Sequence, residues 1–446
     1  MKTNLMKTMS AVVLLFFAQL ALGQPAIQYF RQYGQRGINV FETSKDDSVA
    51  YDGFKFRLGA GFTQGYQNLK HSNESTNTTV KLYEMGGGFP LAQANLNIDV
   101  QLADGVSLNL VSYMSSHHHN EFWVKGGYLK IDKVGFLNSP TMDKLWQNLT
   151  LKVGHMEINY GDAHYRRSDG GNTIWNPWIE NNIMDEFTTE IGAELYWQKN
   201  GIIAMAAMTD GEIQGNVSKP SAPDGAQRKP SLYGKVGYDK QLSEDLRVRL
   251  TGSYYTTKSS ISNTLFGGDR TGSNYQYVME NAPVTLTGNA FSGRFNPGFR
   301  DNVTAMMINP FVKFKGLEVF GTWEYAYGKN AFENGEGTTW GSVANRSAHQ
   351  TAAEALYRFG KNEKFYIGGR YIQVTATIAN GVTATSAGTR DDVTIDRLSI
   401  GGGWFVTPGI LLKGEYVNQN YDGYQPTSQF YKGNFKGVVI QGSLAF

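Results

Sequence analysis

Cysteine is missing from all 446 residues, which excludes disulfides and thiolate metal sites. Beyond residue 23 no segment supplies the roughly 18–20 uninterrupted apolar residues of a spanning helix, and the mean hydropathy of −0.37 is that of a water-soluble chain. Charge of one sign is also missing: a net charge of +2 excludes a globally basic nucleic-acid binder, so selectivity must come from where charges sit. Neither a Gly-rich phosphate loop nor a Gly-x-Ser-x-Gly elbow occurs. No enzyme and no cofactor are expected on that ground.

What is present is a leader and a long alternating pattern. Lys2 and Lys7 precede the apolar run Ala11 to Leu22, and Ala21-Leu22-Gly23 is a small-residue cleavage site, so residues 1–23 are expected to be a signal peptide removed on export. The last fourteen residues then carry Val438, Ile440, Gly442, Leu444 and Phe446 on one face of an extended strand and Gly437, Val439, Gln441, Ser443 and Ala445 on the other. Membrane-spanning barrel strands need about 9–11 residues with lipid on one side and water on the other. If the chain lies in a membrane it must do so as a closed barrel, because only a helix or a closed sheet satisfies every backbone group in hydrocarbon. The 25 Tyr, 25 Phe and 8 Trp are material for interfacial girdles, and 52 Gly suit curved sheet and tight turns.

The same alternation recurs upstream. Phe54, Phe56, Leu58, Ala60 and Phe62 oppose Lys55, Arg57, Gly59 and Gly61, and Ala92 to Val100 set apolar residues against Gln93, Asn95, Asn97 and Asp99. The pattern predicts an all-β fold, a transmembrane antiparallel barrel of about 16 strands, near 54–70, 89–103, 106–116, 122–132, 149–159, 187–199, 201–209, 231–240, 246–258, 302–314, 317–328, 348–359, 364–376, 393–406, 410–420 and 434–446. Asp104-Gly105, Asn200-Gly201, Lys315-Gly316 and Thr407-Pro408-Gly409 are tight turns, and long polar connectors alternate with them. Such asymmetry, short periplasmic turns and long extracellular loops, belongs to outer-membrane barrels. Residues 133–148 break the rule, and Ser139-Pro140 before Thr141 to Gln147 predicts a capped helical turn. Residues 24–53 are too irregular for a spanning strand; a periplasmic arm or partial plug outside the barrel wall is expected, with the barrel domain over 54–446.

The segments Ile395-Asp396-Arg397-Leu398, Gly401-Gly402-Gly403-Trp404-Phe405-Val406-Thr407-Pro408 and Leu411 to Gln419 resemble the end of the phosphate-selective porin O/P family. His155 to Asp162 followed by His164-Tyr165-Arg166-Arg167-Ser168 looks like that family's pore-entering region. The resemblance implies a 16-stranded, homotrimeric, passive channel for anions in the bacterial outer membrane, with lipid and lipopolysaccharide around it and small hydrophilic or anionic solutes passing through. The family's substrate choice rests on many arginines in one pore. Here the inward positions mix signs, with Lys55, Arg57, Lys152, Lys235, Arg247, Arg249, Lys313, Arg358, Lys364, Arg370 and Lys413 against Asp99, Glu190, Glu194, Glu318, Glu324, Glu354 and Glu415. A general or weakly anion-preferring porin is therefore expected rather than a dedicated phosphate channel.

A barrel this wide needs something to narrow it. The connector 160–186 offers Asp162, Arg166, Arg167 and Asp169, with Trp175, Pro177 and Trp178 to pin it to the wall, so that opposed charges would face each other across a constriction. The connector 259–301, with Arg294 and Arg300, is the second candidate, and Lys55, Arg57, Lys152 and Arg249 are the wall charges expected to matter. Solvated charge on an exposed loop is the alternative for both connectors. His117-His118-His119 point to alternate faces of a strand and share no metal without a kink. Two other functions compete with a channel: a lipid hydrolase using His155 on the outer wall, and a barrel whose loops form a surface for adhesion or assembly.

Overall fold

Alternation of side chains fixes the architecture. In the computed structural model, which describes residues 24–47, 49–115, 122–168, 172–211, 229–258, 263–300, 302–330, 333, 345–381 and 388–446, the chain forms sixteen strands. They are β1 (Lys55–Ser72), β2 (Gln93–Ala103), β3 (Val106–Met114), β4 (Trp123–Ile131), β5 (Leu149–Glu157), β6 (Thr189–Lys199), β7 (Ile202–Thr209), β8 (Ser231–Gln241), β9 (Leu246–Thr257), β10 (Asn302–Phe314), β11 (Leu317–Lys329), β12 (Arg346–Phe359), β13 (Phe365–Asn380), β14 (Thr389–Thr407), β15 (Ile410–Asp422) and β16 (Gly433–Ala445). Each pairs antiparallel with its sequence neighbours, and β1 pairs β16 from Gly61↔Ala445 to Ser72↔Asn434, which closes the barrel.

On β16 the two faces are distinct: Val438, Ile440 and Leu444 are 45%, 51% and 41% exposed, whereas Val439, Gln441, Ser443 and Ala445 are buried inside. The outer face carries an apolar band throughout, and at its short-turn edge Tyr357, Phe359, Phe365 and Trp404 stack ring on ring across β12, β13 and β14. Rings in that position form a girdle at a lipid–water boundary. The turns follow local chemistry: Asn200 and Gly201 both take positive φ (52° and 87°), the conformation that matches a two-residue hairpin to strand twist. Ser139 caps a short helix, α1 (Pro140–Trp146), by accepting from the amide of Met142.

Some strand ends differ from the pattern. The β13–β14 ladder runs on to Asn380↔Thr389, through residues expected in a loop. Their polar side chains disguised a paired ribbon in which Thr377 donates to Asp392 at 2.7 Å. At β2 the ladder starts at Gln93 rather than 89, just past Pro90, which has no amide to donate.

Ile440→Arg, on the lipid-facing side, should cost about 2–4 kcal/mol in a folding titration into lipid vesicles, with Ile440→Leu close to neutral. A loss indistinguishable from that of Ile440→Leu contradicts the outward assignment. Alternation alone predicts that an arginine at Gln441 is mild. Packing corrects this, because Gln441 donates to Asn274 at 2.9 Å in a filled interior, where added bulk itself costs about 1–3 kcal/mol.

Candidate pore constriction

Among the described residues, three segments reach deep into the lumen. Residues 24–53 contribute no strand among the described residues and span the short-turn mouth. Gln28 accepts from the amide of Gly105 at 3.0 Å, Lys45 donates to the carbonyls of Asp132 and Leu149 at 2.7 Å, and Gln35 bonds Pro408 at 2.7 Å and Asn362 at 2.8 Å. These anchors lie on turns spread around the circumference. From them the segment dips inward until Phe41 packs on Phe311 and Phe320.

The described residues of the β5–β6 connector, 158–168 and 172–188, run inside the barrel and are largely buried. Trp178 is 1% exposed with its indole N–H on Glu354, Trp175 donates to the carbonyl of Gly34 at 3.0 Å, and Tyr366 donates to that of Pro177 at 3.0 Å. The β9–β10 connector folds in beside it. Ile179, Ile183 and Met184 meet Val278, Met279 and Phe295 in an apolar cluster that inward residues of β10 to β15 complete, among them Val303, Met307, Ile372 and Val374. The wide aqueous lumen expected from strand number is in this half a packed core.

Charges in the lumen meet at contact distance instead of facing each other across open space. Asp162 takes Arg249 at 2.7 and 2.8 Å and Lys235 at 3.0 Å, and both cations also reach Glu42 of the N-terminal segment, at 2.7 and 3.2 Å. Although burial alone would raise it, Arg249 and Lys235 hold the Asp162 carboxyl below its ordinary value. Arg166 is clamped by Glu318 at 2.8 Å, by Glu354 and by Asn39. Arg167 and Arg294, from the two rival connectors, converge on Asp185, with Nη to Oδ2 distances of 2.9 and 2.7 Å, and Arg294 adds Glu180 at 2.7 Å. The two candidate constrictions are therefore one.

The remaining predicted residues are dispersed. Arg57 pairs with Asp99 at 2.8 Å, Lys152 with Glu194 at 3.0 Å, and Lys55 with Asp52 at 2.8 Å on the rim of the short-turn mouth. Arg300 is exposed at the end of its connector and shares nothing with Arg294, while Lys364, expected inside, is exposed at a turn. Asp169 and His117 to His119 lie outside the described residues. His155 lines an internal cavity with Nε2 2.9 Å from Thr189, which removes it from the outer wall where a lipid hydrolase would need it. Sequence reasoning missed Glu42, Glu180 and Asp185. The signal available was the acidic run Glu180, Asp185, Glu186 in the same connector as the two arginines.

Glu186 has a different fate from its neighbours. It is 3% exposed, its Oε2 has no partner among the described residues, and burial together with adjacent Asp185 pushes its pKa up to about 8. A carboxyl whose folded pKa lies above the unfolded one binds its proton more tightly when folded, so its contribution is complete below about pH 4.5, falls as the unfolded chain ionises, and is gone once pH passes about 8. The barrel should therefore lose heat resistance as pH rises from about 4.5 to about 8, with no further loss above that from this group, and Glu186→Gln should flatten the loss. Melting curves of both proteins in detergent across this range check it; parallel curves contradict it.

Beside these networks lies a cavity of about 280 Å³, bounded by the inner faces of β2 to β6, the N-terminal segment and the β5–β6 connector. No family model matches this chain and no curated protein matches it, so the likeness to the phosphate-selective porin O/P family rests on the sequence segments alone. Among solved structures it is similar to the anion-selective porin from Comamonas acidovorans, at 10% identity over 88% of this chain and 100% of that one, with a TM-score of 0.51. It is also similar to OmpF of Salmonella typhi in complex with daunomycin (13% identity, 89% and 99% covered, TM-score 0.49) and to the outer membrane channel DcaP of Acinetobacter baumannii (11%, 89% and 99%, 0.48). At such identities the first likeness shows the fold, a closed sixteen-stranded antiparallel barrel of porin architecture.

Proposed function

We propose that this chain is a passive channel of the bacterial outer membrane, admitting small hydrophilic solutes, reached through a cleaved leader at 1–23 and seated in lipid and lipopolysaccharide. One observation carries the reading: a closed barrel with an apolar, aromatic-edged outer band encloses a polar cavity lined by charged and amide side chains. The solved anion-selective porin of like fold supports it. Because Arg166, Arg249 and Arg294 are matched by carboxylates, while Arg370, Arg397 and Lys413 are spent on backbone carbonyls of the packed connectors, anion preference is weak and tight phosphate retention is not part of the reading. The homotrimer implied by the sequence resemblance goes with it.

The filled half of the lumen favours a second reading, a closed barrel whose loops serve as a surface for adhesion or assembly. Planar-bilayer recording of the purified protein in a KCl gradient separates the two. Discrete current steps with a reversal potential near zero, displaced slightly toward anions, are expected of the channel. A barrel that inserts and passes no current establishes the second reading instead.

A further inference from the structure

The inner face of β2 is a ladder of amides. Gln93, Asn95, Asn97, Asp99 and Gln101 point inward and all are buried. Asp99 is fully committed to Arg57, Tyr33 and Asn109, at 2.8, 2.8 and 2.6 Å. Asn95 is the opposite case: 2% exposed, it has neither its Oδ1 nor its Nδ2 in a hydrogen bond among the described residues, and Nδ2 of Asn97, 6% exposed, has no partner either. A buried polar group left unpaired is expensive, and here three such atoms stand together on one strand face. Both side chains line the 280 Å³ cavity.

The cavity's other walls narrow the chemistry of what these amides meet. Phe30, Tyr33, Tyr128, Tyr165 and Trp175 supply ring carbons. Its charges are largely matched: Lys152 by Glu194 at 3.0 Å, Lys130 by Asp132 at 3.3 Å and Lys125 by Asp269 at 2.7 Å, while Glu157 lies 3.4 Å from His164, an imidazole that burial keeps neutral. Arg31 differs, donating to the carbonyls of Gly37 and Tyr165 while lying 3.7 Å over Trp175. An ion entering such a site loses hydration and gains little from balanced pairs. A hydroxyl both donates and accepts, as a free carboxamide does, and the C–H face of a sugar ring packs on aromatic carbon. The volume falls just below the roughly 300–1,000 Å³ of small-molecule sites, which admits one ring and not a chain.

We infer that this cavity is a subsite for a neutral, polyhydroxylated solute of monosaccharide size, held by the free amides of Asn95 and Asn97 against the aromatic wall. The inference rests on the channel reading and names the solute class that it passes. Occupancy is brief, since conduction requires weak binding.

D-glucose is the probe, with D-gluconate as an anion of similar size. Full-length mature protein is titrated in detergent, followed by tryptophan fluorescence, and separately recorded in bilayers for solute-induced current block. Saturable binding in the millimolar range is expected for glucose and at least tenfold weaker binding for Asn95→Leu, a change that removes two unpaired polar atoms and so leaves the fold at least as stable. Trp175→Phe should abolish most of the fluorescence change while the current block persists. The subsite is overturned if glucose gives neither signal, if Asn95→Leu binds as wild type does, or if gluconate binds more tightly than glucose. Currents that glucose leaves unaltered, with no fluorescence change, overturn the subsite and keep the channel. Saturable fluorescence without any current does the reverse.

Discussion

On the channel reading proposed above, removing residues 24–53 while retaining residues 1–23 should raise single-channel conductance several-fold and leave a folded barrel. The wall does not need this segment: β1 begins at Lys55, and the seam with β16 pairs Gly61 to Ser72 without it. The mouth does. The segment bonds the turns at Gly105, Asp132, Asn362 and Pro408, and Phe41 and Glu42 reach into the lumen behind them. Deletion strips Glu42 from Lys235 and Arg249, but both keep Asp162, at 3.0 and 2.7 Å, and water admitted by the opened mouth solvates what remains. Two measurements check the expectation: heat-resistant migration for the fold and bilayer recording for the current. Unchanged conductance in a folded barrel would assign the narrowing to the two connectors alone, and loss of the barrel would make the segment part of its folding core.

Strand number and inside–outside assignment were legible because both depend on neighbours along the chain. Period-two alternation and turn residues such as Asn200-Gly201 report directly on sheet faces and hairpins. The contents of the lumen depend instead on contacts between segments more than a hundred residues apart, as when Arg166 meets Glu318 and Glu354. A trace of that packing was nevertheless present in β13. Ile372 and Val374 are apolar on the inward face, where Arg370 also points, while Gln373 and Thr375 face out. Alternation there is inverted relative to a lipid-facing strand, because this half of β13 rises past the apolar band and turns its hydrophobic side to the connectors. The charge pairing was hidden for a simpler reason. Counting signs along the chain shows that they are mixed, but only geometry shows that Arg167 and Arg294 share Asp185.

Arg166→Met should destabilise the barrel by about 3–5 kcal/mol, the cost of leaving buried carboxylates without their counter-ion. The arginine is 5% exposed; Glu318 and Glu354, at 1% and 8%, lie on β11 and β12, and Asn39 completes the clamp from the N-terminal segment. Glu318 keeps Arg358 at 2.8 Å, whereas among the described residues Glu354 retains only the Trp178 indole, so Glu354 is the more exposed to the loss. A double-mutant cycle follows: adding Glu354→Gln to Arg166→Met should recover a large part of the deficit, while adding Glu318→Gln should recover less because it orphans Arg358. Unfolding titrations in detergent of the six proteins of the two cycles (wild type, three single variants and two double variants) read the coupling, and additive losses would contradict the clamp. The same geometry rules out the direct selectivity experiment, exchange of Arg166 and Arg167 for glutamate, since that would crowd four or more carboxylates into one dry site and test folding. Charge reversal at exposed Arg300 is the admissible comparison. It should leave stability unchanged and shift the reversal potential little, because an exposed charge acts through bulk water and is screened by salt within about 10 Å at ordinary ionic strength.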